Sequence, residues 1–376
     1  MKNRKRRRSR AGNVLVWTVL WMMAMFAVIA FAVDLGYIYT VRAEMQRTAD
    51  SASLAGAWKL CDEDPLSADA DPFEAADLAC LAADEYAGRN PVGGAAPSLA
   101  YDDVEVGYLQ SDGTINGVPS AYIAVRTNVR RTSQHNGEVP LFFARLLGKN
   151  SSAQQTEATA VFMNNIGGFQ TPSSGENLCI LPFALDKETW DNMLLYAVGT
   201  DDWTWNEETG EVAAGGDGVL EVNLFPQGTG SPGNRGTVDI GSNNNSTNDI
   251  ARQILYGVSP EDLAHHGGSL EFDDNGELML NGDTGISAGM KDELASIIGE
   301  PRIIPIFSTV SGPGNNAWYT IVQFAGIRIM DVKLTGKMSS KRVIIQPAKI
   351  TCKGAIPAAG ATQTSKFVYS PVWLSR

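Results

Sequence analysis

Histidine and cysteine are scarce, with three His and four Cys in 376 residues. There is no Cys-x-x-Cys and no His-x-x-x-His spacing, so only His135, His265 and His266 could complement scattered thiols, and a tetrahedral zinc site is not expected. No histidine follows His266, which removes the base that an α/β-hydrolase places after its nucleophile for any later serine. Acidic residues are missing before Asp34, and long apolar runs are missing after it. The next most apolar stretch, Val139 to Leu147, contains Pro140 and Arg145 and is too short to cross a bilayer. An excess of positive charge is lacking as well. The net charge is -12, and beyond the N-terminal tail 23 basic side chains face 42 acidic ones, a balance of -19. Such a body argues against nucleic acid as partner.

What is present begins with Val14 to Val33, VLVWTVLWMMAMFAVIAFAV, in which Thr18 is the only polar side chain and neither Gly nor Pro occurs. At about 1.5 Å per residue the run spans about 30 Å, the thickness of a bilayer's hydrocarbon core. Lys2, Arg4, Lys5, Arg6, Arg7, Arg8 and Arg10 precede it, and this imbalance places the N-terminus in the cytoplasm. A cleaved secretory signal is the competing reading. Its apolar region would be about 7 to 15 residues with a small-x-small site close behind, and this run is longer with no such site nearby. Past Asp34, the residues Ile38, Val41, Met45, Ala49, Ala52 and Ala55 recur at three- and four-residue steps, one apolar stripe on a helix. Its small end, with Ala52 and Gly56 four apart, predicts close packing against the rest of the chain, with an oligomer contact as the alternative.

Here the residues carry a resemblance. An Arg-rich tail, one span, then Asp34-Leu35-Gly36, Tyr37, Arg42, Gln46, Ala49-Asp50, Ala52 and Leu54-Ala55-Gly56-Ala57 resemble the N-terminal segment of TadG-like (TadE/G-like) proteins of the Tad, or Flp, pilus-assembly system. Downstream, PLFFARLLGKNSSAQQTEATAVF resembles the corresponding TadG-like segment. PFALD, GNRG at Gly233 to Gly236, RIIPIF and QFAGIRI more loosely resemble the family's C-terminal region. The resemblance implies a membrane-anchored assembly component whose partners are the inner membrane and other Tad pilus-assembly proteins or pseudopilins. A homo- or hetero-oligomer is compatible with it, and no cofactor is implied. Processed prepilins usually carry a Glu five residues after the Gly that precedes the cleavage site. Counting from Gly12 that position is Trp17, so a permanent signal anchor is expected rather than prepilin peptidase cleavage.

The expected fold class is α+β: an N-terminal transmembrane helix continuing into an amphipathic stalk helix, a small pilin-like helix/sheet unit, then a β-rich C-terminal domain. The boundaries are a basic cytoplasmic tail at 1–12, the span at 13–33, a helical stalk and hairpin at 34–90 and the pilin-like unit at 100–165. A linker at 166–177, a β-rich periplasmic domain at 178–351 and a C-terminal tail at 352–376 complete the chain. Asp71, Pro72 and Glu74 predict the start of a second helix over Phe73 to Ala87. Strands are predicted in DDVEVGYL, SAYIAVRTNVRR and QQTEATAVFM, and VPLFFARLLG reads as a short helix closed by Gly148. Its Phe142 and Phe143 are read as core residues. The β-rich domain is predicted to carry two helices, Thr247 to Tyr256 and Ser287 to Ile298. Cys61, Cys80, Cys179 and Cys352 would meet an oxidising compartment. Of the three pairings, Cys61 with Cys80 and Cys179 with Cys352 is the economical one.

Several catalytic patterns occur, and each has a plainer reading. Gly285-Ile286-Ser287-Ala288-Gly289 matches a nucleophile elbow, but with no later His, Ser287 reads as a helix N-cap. Gly228, Gly230 and Gly233 fit G-x-G-x-x-G, yet a predicted strand follows where a dinucleotide site needs a helix. Glu271, Asp273, Asn275 and Gly276 imitate the start of an EF-hand loop, but Gly282 stands where a bidentate Glu is required; a hairpin turn at Asp274-Asn275-Gly276 explains the same residues. His265 and His266, beside Glu261 and Asp262, read as a solvated helix end. Asp239-Ile240-Gly241-Ser242 fails the D-x-S-x-S metal pattern of von Willebrand A domains. No catalytic, cofactor-binding or metal residue is therefore assigned. The expected function is a non-enzymatic, membrane-anchored pilus or secretion component; a surface binding or adhesion module and a tethered Ser287 hydrolase are the alternatives.

Overall fold

The structure, a computed structural model, describes residues 13–63, 66, 72–231, 235–241, 246–282, 288–360 and 362–375. The basic tail, Asp71, Gly233 and Ser287 lie outside these described residues.

Helix α1 runs unbroken over Asn13–Glu63, 51 residues, or about 76 Å. No described side chain from Val14 to Val33 is buried. Nineteen apolar side chains around a full helical circumference, with Thr18 the one polar exception, are at home in lipid, not water. Past Asp34 the helix becomes one-sided, as the stripe predicts: Val41, Met45, Ala49 and Ala52 are buried, whereas Arg42 and Arg47 are exposed. The hydroxyls of Thr48 and Ser53, also buried, donate to the carbonyls of Glu44 and Asp50. Helix α2, Pro72–Gly88, repeats the device with Ala75, Ala79, Ala83 and Ala87 buried at four-residue spacing.

Strands then follow: β1 (Val104–Leu109), β2 (Ile115–Asn116), β3 (Tyr122–Arg131), the short pair β4 (Val139–Pro140) and β5 (Ser151–Ser152), β6 (Gln154–Met163) and β7 (Ile166–Gln170). After β8 (Leu185–Asp186) come α3 (Lys187–Tyr196), the hairpin β9 (Trp203–Asn206) and β10 (Glu211–Ala214), and β11 (Val222–Phe225). Helices α4 (Thr247–Tyr256) and α5 (Pro260–Ala264) lead to β12 (Ser269–Glu271), β13 (Leu278–Gly282) and α6 (Lys291–Ser296). The chain closes with β14 (Pro301–Ser311), β15 (Ala317–Lys333), β16 (Arg342–Pro347), β17 (Ile350–Thr351), β18 (Ala355–Pro357), β19 (Ser365–Lys366), β20 (Val368–Tyr369) and β21 (Trp373–Ser375). One sheet has the order β2-β1-β3-β6-β21. The largest has the path β11-β16-β15-β14-β8, with β13 and β19 also on β15, and a three-stranded sheet has the order β12-β7-β18.

Two compact units result. Met1–Ser53, Ala83–Val104 and Arg126–Ala158 form the first; Leu54–Ala82, Glu105–Val125 and Thr159–Arg376 form the second. Within the first, the stalk lies against its own sheet so closely that the Thr127 hydroxyl on β3 donates to the Ala49 carbonyl at 2.8 Å. Only a methyl-sized residue leaves a helix backbone that accessible. Gln46 donates to the Glu157 carbonyl, and Thr48 to that of Asn90. The predicted intramolecular packing of Ala49 and Ala52 is thus what this unit shows. Within the second, the long antiparallel pair β14 and β15 is covered on both faces. Ile304 and Ile306 join a core with Trp190, Met193 and Ile250, while Ile303 and Phe307 join another with Phe169, Leu178 and Phe324. Burial on both faces is why RIIPIF reads as a continuous apolar run.

Several expectations need correction. Residues 166–170, expected to begin a linker, form the buried strand β7 between β12 and β18. A Cβ at Gly167 would stand 2.9 Å from the Ala358 Cα, and one at Gly168 2.5 Å from the Leu270 carbonyl oxygen. The two glycines are there for close strand approach rather than flexibility. The expected tail at 352–376 instead supplies four strands, and β21 pairs with β6 through Trp373 and Val161. The strand predicted after Gly233, GTVDIG, is not formed; its residues make only single bridges, from Thr237 to Phe183 and from Val238 to Gly282. Asp274-Asn275-Gly276 does make a tight turn, but the strands beside it, β12 and β13, pair with β7 and β15 rather than with each other. Helix α3 was not expected, whereas α5 is the helix whose end the sequence places at His265 and His266. Both carry legible caps: the Asp186 carboxylate accepts from the Thr189 amide, and Ser259 and Asp262 form a reciprocal capping box ahead of Pro260.

Candidate functional site

The first charged residue after the apolar run organises the first unit. Asp34 is 5% exposed. Its Oδ1 accepts from the amides of Phe142 at 2.7 Å and Phe143 at 3.2 Å, and its Oδ2 from Phe143 at 3.1 Å and Ala144 at 2.6 Å. Three consecutive backbone donors thus converge on one carboxylate, the arrangement that suits an anion best. The Tyr37 ring stands edge-on to Phe142 with centroids 5.1 Å apart. The loop so held is closed at its base by β4 and β5, pairing Val139 with Ser152 and Pro140 with Ser151. Its single turn of 3-10 helix, Ala144–Leu147, ends at Gly148 with φ 87°, the predicted left-handed cap. Desolvation pushes the Asp34 carboxyl up, but the amides of Ala144, Phe142 and Phe143, aided by the charge of Arg145, outweigh it and hold its pKa below the ordinary value.

Phe142 and Phe143, read from sequence as core residues, are 45% and 42% exposed, and Leu146 and Leu147 are 82% and 90% exposed. Apolarity alone suggested burial. The backbone clamp on Asp34, 108 residues away in sequence, turns these side chains outward, and a pairing over that distance leaves no local signal.

The second unit holds a cavity of about 1140 Å³. Trp190, Leu194 and Phe367 give it apolar walls, and Lys187, Gln323 and Lys366 are among its polar lining. Lys187 is paired with Asp191 one helical turn on. Among the described residues the buried Trp190 Nε1–H has no hydrogen-bond acceptor. The lining thus sets apolar side chains beside the Lys187–Asp191 ion pair, Gln323 and Lys366.

The sequence patterns are dispersed or accounted for. The Asp273 carboxylate, facing the cavity, already accepts from the amides of Asn275 and Glu277, bonds that lower its pKa and close the turn. The Asp262 side chain caps α5 and binds Arg252 at 2.7 Å. Desolvation, with the charge of His265, lowers the pKa of neighbouring His266. Among the described residues no group of three or more His, Cys, Asp or Glu could hold a metal ion. Cys61, Cys80, Cys179 and Cys352 are all thiols, so neither expected disulfide is formed. Burial, reinforced by nearby Cys179, pushes the Cys352 thiol up to about 12, and a protonated thiol is a poor nucleophile for exchange.

Comparison with known families falls on the clamp and its helix. A family described as putative Flp pilus-assembly TadE/G-like matches residues 12–59, and one described as putative Tad-like Flp pilus-assembly matches residues 55–160. No curated protein and no solved structure matches the chain. The two family segments adjoin without a gap and contain α1, the stalk stripe, Asp34 and the loop it holds. Residues 12–160 thus carry matches to two Flp pilus-assembly families, the TadE/G-like one over residues 12–59 and the Tad-like one over residues 55–160.

Proposed function

We propose that the chain is a non-enzymatic, single-pass component of a Tad/Flp-type pilus or secretion assembly. A signal anchor holds it in the inner membrane, and its body lies on the periplasmic side against other pilus-assembly proteins. The observation that carries this reading is α1 itself, one helix that passes from an apolar segment with no buried side chain from Val14 to Val33 into a stalk packed on its own sheet. The family match supports the assembly role, and the seven cations before the span, with no acid among them, support the orientation. The acidic body suits an extracytoplasmic location and no nucleic acid partner. The reading needs no cofactor. A second reading, a membrane-anchored surface binding or adhesion module, is favoured by the cavity of the second unit.

Topology is directly testable. A reporter fused after Arg10 should be active only as a cytoplasmic fusion, and one after Gly168 only as a periplasmic one. A periplasmic N-terminus would overturn the localisation and, with it, the proposed site of assembly.

A further inference from the structure

Leu146 and Leu147 are among the most exposed large apolar side chains described, and together with Phe142 and Phe143 they form one patch on one short loop. A patch of this kind marks a contact surface. Its position identifies the contact. Asp34, whose carboxylate holds the loop's backbone, immediately follows Val33, the last residue of the apolar run. The loop therefore sits within a side chain's length of the level at which α1 leaves the hydrocarbon. Leu35 and Tyr39, one and five residues past Asp34, are exposed on α1 in the same zone. Two exposed cations, Arg145 and Lys149, flank the apolar side chains. Arg145 is braced by its Nε–H on the Phe142 carbonyl at 2.8 Å. Aromatic and aliphatic side chains beside Lys and Arg are the composition that settles at a bilayer's headgroup boundary, rings and methyls inward and cations toward phosphate.

We propose that the Phe142–Leu147 loop is a second membrane contact: a foot that rests in the leaflet from which α1 emerges, with Arg145 and Lys149 toward lipid phosphates. Asp34 locks the foot to the helix, so span and foot fix how the stalk stands on the membrane. The inference rests on the reading of Val14–Val33 as a membrane span, and the test separates the two.

The full chain is reconstituted in vesicles of phosphatidylethanolamine and phosphatidylglycerol, carrying a benzophenone amino acid in place of Leu147, Met22 or Arg89. Leu147 and Met22 are both exposed, so a larger side chain at either displaces no core residue. Arg89 is an exposed control far from the proposed foot: its neighbour Asn90 binds Thr48 and Ser51, at least fourteen residues, or about 21 Å, up the helix from Asp34. After illumination, lipid adducts are read by mass. We expect adducts at Leu147 at a yield comparable to Met22, and their loss at Arg89. Adducts at Met22 with none at Leu147, or a protein dimer adduct at Leu147, would overturn the foot and leave the span standing. No lipid adduct at Met22 would overturn the span reading and the foot with it.

Discussion

Replacing Asp34 by alanine should release residues 142–144 from α1. Their amide exchange should accelerate roughly ten- to hundredfold, as expected when buried donors lose a charged acceptor, while exchange through Val41 to Ala52 stays slow. Three donors lose their partner at once, and among the described residues Asp34 is their acceptor. The pH dependence has a definite sign. Desolvation opposes the charge, but the three amides and Arg145 prevail, so the folded-state pKa lies below the ordinary 3.8. A group with a depressed folded pKa contributes stability that is fully present above its unfolded value and is lost as pH falls through the folded one. At neutral pH the clamp is therefore at full strength, and acidification below 3.8 should reproduce the effect of the substitution in the wild-type chain. Unchanged exchange in Asp34→Ala would show that β4, β5 and the Tyr37–Phe142 contact hold the loop unaided.

The second large effect belongs to the other unit. Trp190 is fully buried on α3, edge-on to Phe367 with centroids 6.3 Å apart, and shares a core with Leu185, Ile304 and Ile306. Trp190→Ala should cost about 3 to 5 kcal/mol in denaturant unfolding of the detergent-solubilised chain, the usual range for an aromatic removed from a core. Two features push toward the lower end. Among the described residues the indole N–H has no partner to strand, and Trp190 lines the existing cavity, so less new void is made. A cost below about 1 kcal/mol would mean that the ring contributes little packing, contrary to its burial.

Much of this was legible in the sequence where the signal is local. The uninterrupted apolar run and the three- and four-residue stripe define α1, and the Gly148 stop closes the loop helix as expected. Ser246 and Asp249 frame α4 over Thr247–Tyr256, the predicted range. Tertiary pairing decided the rest. Gly167 and Gly168 read as linker because glycine loosens a free chain, whereas β12 and β18 leave room for nothing larger. The last residues read as a tail because each strand there is two or three residues long, too short for a period, and exists by pairing with β7, β15, β17 or β6. The foot was misread for the same reason: Phe142 and Phe143 look like core until Asp34 is known to hold their backbone.

The pilus-assembly role is tested most directly in the chain's own host, by deleting its gene and counting surface pili by electron microscopy, with the full chain supplied back in trans. We predict that pili are lost or sharply reduced in the deletion and restored by the wild-type chain; pili of normal number and length in the deletion strain would contradict the account.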